Sequence, residues 1–350
     1  MSDQNTDITP LRWGVLSTAS IARKAMLPAL RAAQGCTLAA IASRDAARAS
    51  EVAQQFDIPR TYSSYEALLA DPDIDAIYNP LPNHLHVPMT LMALEAGKHV
   101  LCEKPLALTF AEADRLTDTA RRCGKIVTEA YMTRHHPQWR RAKALVQAGR
   151  IGRLTGIQVL FSYCNTDPAN VRNQADIGGG GLNDIGCYAI DAARFFFDSE
   201  PEALTATMDR DPAFGTDRLT TGAVRFSNGR HLGFTVATQS ALVQQLTLLG
   251  TEGYITLDAP FNCPPDHTAH LVIDTGADLL GGGREVETIA PADQYRAQAE
   301  SFTDQVLTGA PMPSSSADIC RNAAALETLA RAAETGRWES LHYIETLTGV

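Results

Sequence analysis

Along residues 11–128 short apolar runs alternate with amphipathic segments. Trp13–Leu16 reads as a buried strand, Ile21–Ala33 has helical spacing, Thr37–Ala42 is a second buried strand, and Asp45–Phe56 is an Ala-rich helix with a polar face. The pair recurs as Asp75–Asn79 with Val87–Glu95, then as His99–Cys102 with Thr109–Cys123, and Lys125–Thr128 closes the series. Alternating βα units with short apolar strands predict a doubly wound parallel sheet.

After about Trp139 the pattern changes. A helix over Arg140–Ala148 leads through Gly149 and Gly152 to a strand at Leu154–Cys164. Four glycines, Gly178–Gly181, precede a helix over Leu182–Phe197. Residues 203–258 hold several β-rich segments separated by turn signals at Ser227-Asn228-Gly229 and Thr251-Glu252-Gly253. Two helices close the pattern, Asp293–Leu307 and Ala317–Glu334, the second capped by the serines 314–316. The fold class expected is α/β: an N-terminal Rossmann domain with a doubly wound parallel sheet, then a C-terminal α+β domain with a large, mostly antiparallel open sheet. The division is a polar tail 1–10, a dinucleotide-binding domain 11–130, and a substrate-binding and oligomerisation domain 131–350.

The 350 residues include 45% hydrophobic and 20% charged side chains, which excludes a largely disordered chain. The formal net charge is −10, and it is unevenly spread. The first 128 residues carry 13 basic and 14 acidic side chains; the remainder carries 17 and 26. Such a chain has no basic footprint for nucleic acid or anionic membranes. The seven cysteines contain no CxxC pair, which argues against a disulfide framework or structural zinc. Met1–Pro10 is polar and lacks an apolar signal core, and no apolar run approaches a membrane span, so a cytoplasmic protein is expected.

The first strand enters Gly14-Val15-Leu16-Ser17-Thr18-Ala19-Ser20-Ile21-Ala22. Aligned with a G-x-G-x-x-G/A fingerprint, Ser17, Ala19 and Ala22 take its three small positions. Ser17, Thr18, Ala19, Ser20 and Ile21 then form the pyrophosphate turn at a helix N-terminus. The second strand ends in Ser43 and Arg44, with Arg48 one helical turn on. An acidic residue there would bind a ribose diol; a hydroxyl and two guanidinium groups instead suit a 2′-phosphate, so NADP(H) is expected over NAD(H). Two further strand ends lead into Leu81-Pro82-Asn83 with His86, and into Glu103-Lys104-Pro105. Lys-Pro directly after a buried strand predicts a sharp turn, with a cis bond as one solution. That turn would hold the ammonium over the cofactor.

These motifs carry a family resemblance. Ala96–Pro105, Leu81-Pro82-Asn83 with His86, Trp13–Ala19, and Gly178-Gly179-Gly180-Gly181-Leu182-Asn183-Asp184-Ile185-Gly186 resemble the signatures of the Gfo/Idh/MocA oxidoreductases, over about residues 11–340. Many members place His four residues after the Asp of the glycine motif; here that residue is Tyr188. Tyrosine at this position resembles the subgroup of glucose–fructose oxidoreductase, aldose dehydrogenases and dimeric dihydrodiol dehydrogenase. Asn170-Val171-Arg172 and Tyr295-Arg296-Ala297-Gln298, with Glu300 and Phe302, resemble it too. In that subgroup the cofactor is commonly NADP(H). The resemblance also implies Tyr62 near the adenosine phosphate, Glu103, Arg172 and Tyr188 at the cofactor, and a homodimer or homotetramer.

Asp184 and Tyr188 are four residues apart on a helix and share a face. If the second domain covers the first sheet's carboxyl edge, that face meets Lys104, one of only five lysines. Interconverting a carbinol and a carbonyl requires a proton acceptor, and a free tyrosine with a pKa of about 10 is a poor one at neutral pH. A nearby ammonium would lower that value. Tyr188 is therefore expected as acid/base, Lys104 as its tuner and second proton donor, and Asp184 as binder of substrate hydroxyls or orienter of Lys104. No metal is expected: His135-His136 reads as structural or substrate-lining, and Asp266, His267 and His270 lack a further ligand. The leading expectation is NADP-dependent hydride transfer at C1 of an aldopyranose, giving a lactone, with coupled reduction of a second sugar as an extension. The alternatives are a trans-1,2-dihydrodiol dehydrogenase and a non-catalytic sugar or cofactor sensor.

Overall fold

The structure is a computed structural model and describes residues 9–341. Residues 1–8 of the polar tail and residues 342–350 of the second domain lie outside it. The first unit contains β1 (Leu11–Leu16), α1 (Leu27–Ala32), β2 (Cys36–Ala42), α2 (Ala46–Gln55), β3 (Arg60–Tyr62), α3 (Tyr65–Leu69), β4 (Ala76–Asn79), α4 (Asn83–Glu95), β5 (His99–Cys102), α5 (Phe110–Cys123) and β6 (Val127–Glu129). All strand pairs are parallel, in the order β3-β2-β1-β4-β5-β6. The order reverses between β1 and β4, so the loops leaving those strands open a crevice at the carboxyl edge, where such sheets bind ligands. Local signals set the helices. Thr109 and Glu112 form a reciprocal capping box at the start of α5, and Gly124 ends that helix in the left-handed region. The short β3 and α3 are absent from the hydrophobic pattern because neither has a run long enough to show a period.

The second unit begins with α6 (Pro137–Gln147) and β7 (Leu154–Cys164), then α7 (Cys187–Phe197), β8 (Pro201–Arg210), β9 (Asp217–Phe226), β10 (Arg230–Ala237), β11 (Gln239–Gly250), β12 (Tyr254–Leu257), β13 (Ala269–Asp274) and β14 (Arg284–Ile289). The chain then forms α8 (Gln294–Thr308), α9 (Ser316–Thr335) and β15 (Glu339–Ser340). Nine strands make one sheet, antiparallel except where β7 runs parallel to β10. One face packs on α6 and α7 through Ile157, Val159, Phe161, Trp139 and Phe196. Along β11 the alternation places Leu246 and Leu248 inward and leaves Leu249 exposed. On the other face Val286 is exposed opposite Val272 of β13.

Helices α8 and α9 follow β14 in sequence, and both pack on the first unit. Ala299 and Phe302 of α8 share a core with Trp13, Leu30 and Ile41, and the Trp13 and Phe302 rings lie 5.2 Å apart. α9 spans both cores: Ile319 and Cys320 join Leu116 of α5, while Ala325 and Leu329 join the sheet of the second unit. Chain order alone gives both helices to the 131–350 segment.

Candidate active site

The turn after β1 has the backbone that a dinucleotide site requires. Ser17 stands at the fingerprint's first position with φ +80°, a value usually left to glycine, and its N–H donates to Ala42 O at 2.8 Å. Thr18 and Ala19 are non-helical; helical backbone starts at Ser20 and passes through a π-helical turn, Ala22–Met26. The first-turn N–H groups have no partner within the helix, and the small Ala19 leaves them open to a phosphate. Ser43 is buried and its Oγ accepts from Asp45 N at 3.1 Å. Arg44 and Arg48 are exposed, and neither makes a side-chain hydrogen bond or ion pair with any described residue. Two unpaired guanidinium groups beside this turn fit an added phosphate. Tyr62 is adjacent, accepting Ser43 N on its carbonyl, but its hydroxyl donates to Asp71 at 2.6 Å. That hydroxyl is thus engaged by a carboxylate, while the backbone of Tyr62 stays beside Ser43.

The next two loops are joined by a histidine. His86 is buried, with Nε2 2.6 Å from Leu81 O and Nδ1 2.8 Å from Pro105 O. Burial pushes its pKa down to about 4. The His86 side chain ties the Leu81-Pro82 loop to the Lys104-Pro105 loop. The Lys104–Pro105 peptide is cis. Glu103 is likewise engaged: its Oε1 accepts from Tyr78 Oη at 2.6 Å, and burial raises its carboxyl. Asn83 Nδ2 reaches across to Gly178 O at 2.8 Å and so connects the first unit to the glycine run.

The glycine run brings the second unit's charges to Lys104. A Cβ on Gly179 would stand 2.6 Å from Arg172 O and 2.7 Å from Gln174 O. The run therefore packs directly on the turn that holds Arg172. Asp217 accepts from Leu182 N at 2.7 Å and fixes the start of the helix. Asp184 then collects three partners. Lys104 Nζ donates to its main-chain oxygen at 2.5 Å and lies 3.4 Å from Oδ1, while Tyr163 Oη and Arg172 Nε donate to Oδ2 at 2.6 and 2.8 Å. Burial would raise this carboxyl, but the Lys104 and Arg172 charges and the Tyr163 hydrogen bond hold it well below the usual carboxylate range. Burial would likewise lower Lys104; the Asp184 charge outweighs it and raises the ammonium's pKa.

Tyr188 lies beside this cluster in a different relation from the expected one. Lys104 Nζ sits 4.7 Å from the centroid of its ring. The hydroxyl points to Met132 Sδ at 3.6 Å, and the ring packs among Tyr131, Phe161 and Phe261. Burial raises the phenol's pKa well above its ordinary value. The expected lowering by Lys104 does not prevail in this arrangement, because burial, aided by the nearby Glu103 and Asp184 carboxylates, raises the phenol. Tyr163, near the end of β7, is the site residue that sequence reading missed; its partner is 21 residues away and no motif connects them.

Comparison with known proteins decides the family. Residues 11–131 match the family model described as an oxidoreductase family with an NAD-binding Rossmann fold, GFO_IDH_MocA, and residues 139–256 match the GFO/IDH/MocA C-terminal domain. The chain belongs to the Gfo/Idh/MocA oxidoreductases. It is 45% identical to an uncharacterised oxidoreductase of Rhizobium meliloti, over 95% of this chain and 99% of that one. It is 37% identical to a D-xylose 1-dehydrogenase (NADP(+)) of Haloferax volcanii, over 85% and 90%. Its fold matches a 3-ketoreductase from Actinomadura kijaniata, solved in complex with NADP and TDP-benzene, with a TM-score of 0.86 and 31% identity over 92% and 98% of the two chains. This Gfo/Idh/MocA member is therefore an oxidoreductase with an NAD-binding Rossmann domain, and its relatives include sugar dehydrogenases.

Elsewhere the family member buries its remaining sequence candidates or leaves them on the surface. His135 and His136 are buried, and their pKa values are pushed down to about 3 and about 4. His267 and His270 each lie 3.4 Å from Asp258 on the surface. Among the described residues no group of three or more His, Cys, Asp or Glu side chains is arranged to hold a metal ion. No described helix is long and apolar enough to cross a membrane.

Proposed function

We propose that this protein is an NADP-dependent sugar oxidoreductase acting at C1 of an aldopyranose, interconverting aldose and lactone. The observation that carries the reading is the Lys104–Asp184–Tyr188 cluster at the carboxyl edge of the parallel sheet. Ser17–Ile21 would hold the pyrophosphate and Ser43, Arg44 and Arg48 the 2′-phosphate. Leu81, Pro82, Asn83, Glu103 and Arg172 would border the nicotinamide end. The cofactor, when bound, supplies hydride exchange at the substrate carbon. The protein's own task is the proton. Lys104 remains an ammonium because Asp184 faces it, and Tyr188 keeps its phenolic proton because it is buried. Lys104 can donate to a carbonyl oxygen, and Tyr188 can do so once its hydroxyl turns from Met132, so the resting protonation matches carbonyl reduction, and oxidation requires one of these protons to leave first. Asp184, with Arg172 and Tyr163, provides the polar contacts that a hydroxyl-rich substrate needs. The 37% identical relative named for xylose supports a monosaccharide substrate.

We also infer a homodimer or homotetramer formed on the outer face of the nine-stranded sheet, where Leu249 and Val286 are exposed. Light scattering tests this; a monomer at micromolar concentration rejects it. A panel of aldoses with NADP⁺ and NAD⁺, followed by NADPH absorbance and lactone analysis, tests the activity. Lactone formed preferentially with NADP⁺ supports it. Tightly bound cofactor with no turnover on any sugar points to a sensor instead.

A further inference from the structure

Outside the substrate cluster, one buried carboxyl touches the Lys104 loop from behind. Glu129 ends β6, and its side chain is buried. Its Oε1 accepts from Leu106 N at 2.9 Å, two residues beyond Lys104. Its Oε2 accepts from Asn322 Nδ2 of α9 at 2.8 Å. Asn322 Oδ1 in turn accepts from Arg194 Nη1 at 2.6 Å, and Arg194 lies on α7, the helix that carries Tyr188. Arg194 is also paired with Glu200 and Asp318, and Arg134 pairs with Asp191 of the same helix at 2.6 Å. A continuous chain of hydrogen bonds therefore runs from the Lys104 loop through Glu129 and Asn322 to α7.

We propose that Glu129 is a positioning residue that sets Lys104 against Asp184 and Tyr188 by holding the Leu106 amide and α9 at once. The proposal rests on the reading of Lys104 as the proton-handling cation. Geometry gives it a state dependence. Asn322 offers an N–H to Oε2 and Leu106 one to Oε1, so a proton on either oxygen sits beside a donor. Protonation sets O–H against N–H, and turning the Asn322 amide to relieve this removes the acceptor from Arg194. Burial pushes the Glu129 carboxyl up to about 7. Asp191 of α7 adds to the rise; Asn322, the Leu106 amide and Arg194 oppose it. Cys102 of β5, Cys187 of α7 and Tyr131 of the following segment also face it, and each keeps its proton because burial raises its pKa.

Glu129→Gln imitates the protonated acid in shape and hydrogen-bond pattern, and Glu129→Ala removes both contacts. The primary readout uses the cofactor-free protein: reductive methylation of Lys104, quantified by peptide mass spectrometry against the exposed Lys24 as internal standard. The Lys104-to-Lys24 ratio is expected to change through pH 7 in the parent and to be flat in Glu129→Gln at the parent's low-pH value. A ratio unchanged by pH in the parent and equal in Glu129→Gln overturns the proposal, because a merely structural acid would leave Lys104 alone. If Glu129→Ala fails to fold, the isosteric Gln variant carries the test. In turnover, Glu129→Gln is expected to lower kcat about tenfold at pH 8 with the cofactor KM within about twofold, and to lose the parent's limb near pH 7. A drop confined to KM, with the limb retained, also counts against it. Because labelling needs no substrate, failure of the sugar assay leaves this test standing.

Discussion

The Lys104 ammonium lies over the face of the Tyr188 ring, 4.7 Å from its centroid, while the Tyr188 hydroxyl points away to Met132. Burial keeps the Tyr188 phenol protonated despite this cation, and the Asp184 charge keeps Lys104 an ammonium. The pair therefore holds two protons at neutral pH, one on nitrogen and one on oxygen. Loss of either group should be severe. Tyr188→Phe and Lys104→Ala are each expected to reduce kcat by about 10²-fold or more, with cofactor affinity largely kept. Steady-state kinetics with cofactor titration measures this, and near-normal turnover in both variants would falsify the proposed proton route.

The raised phenol also fixes a pH asymmetry. A group whose proton is held more tightly than usual is charged only at high pH, so sugar oxidation should accelerate continuously from pH 7 to pH 9. Carbonyl reduction should rise only through the Glu129 limb near pH 7 and hold level or decline above pH 8. Initial rates in both directions across this range check the sign; an oxidation optimum near pH 6 would contradict it.

Tyr163 should matter although it stands in no motif. Tyr163→Phe removes one of the donors to Asp184 Oδ2 and leaves Arg172 on that oxygen. One hydrogen bond to a charged group is worth about 1.5–3 kcal/mol, so kcat/KM for the sugar should drop about tenfold or more. Cofactor affinity should stay within about twofold, since Tyr163 lies on the second sheet. Equal losses for sugar and cofactor would place Tyr163 elsewhere in the chemistry.

Cofactor choice should reside in two exposed arginines. Replacing Arg44 and Arg48 by alanine is expected to weaken NADP⁺ about 10- to 100-fold, the scale of one or two charge-assisted hydrogen bonds, and to leave NAD⁺ nearly unchanged. Fluorescence titration with both cofactors decides it. Parallel weakening of the two would mean the arginines serve the shared pyrophosphate.

Acid should unfold this protein early. Burial pushes His86, His99 and His136 down to about 4 and His135 to about 3. Between these values and the unfolded histidine pKa near 6.5 the unfolded chain binds more protons, so stability decreases as pH falls below about 6.5. Glu129 acts oppositely: its carboxyl, raised to about 7, stabilises the fold as pH falls from about 7 toward the unfolded value of about 4.5. Each tenfold change in proton affinity between the folded and unfolded chain is worth about 1.4 kcal/mol. Glu103, Asp191 and Asp217 are raised like Glu129, but the lowered Asp71, Asp75, Asp184 and Asp318 act with the four histidines, so the net effect of acid is a loss. Thermal unfolding should show Tm falling from pH 6.5 to 4, more steeply in Glu129→Gln. A flat profile would indicate that water or ions reach these imidazoles.

By itself the sequence determined the two architectures and the motif residues. Period-two and period-3.6 patterns are local, and so are the strand-end positions of Ser43, Asn79 and Cys102. Spacing also placed Asp184 and Tyr188 on one helical run, which the structure divides into a π-helical turn, Leu182–Gly186, and α7, and it marked the turn at Lys104-Pro105. It could not show which polar atom each residue finally meets. His86, Glu103 and Tyr62 sit in motifs, yet their polar atoms are taken by Leu81, Pro105, Tyr78 and Asp71. Tyr163, Glu129 and Asn322 carry no motif and reach the site through partners 21, 23 and 193 residues away. Only the tertiary structure brings α8 and α9 back onto the first core, since their apolar stripes require a surface that chain order does not specify. The direction of the Tyr188 hydroxyl was decided there too. Periodicity fixes which face a side chain shares, whereas packing among Tyr131, Phe161 and Phe261 fixes where its last atom points.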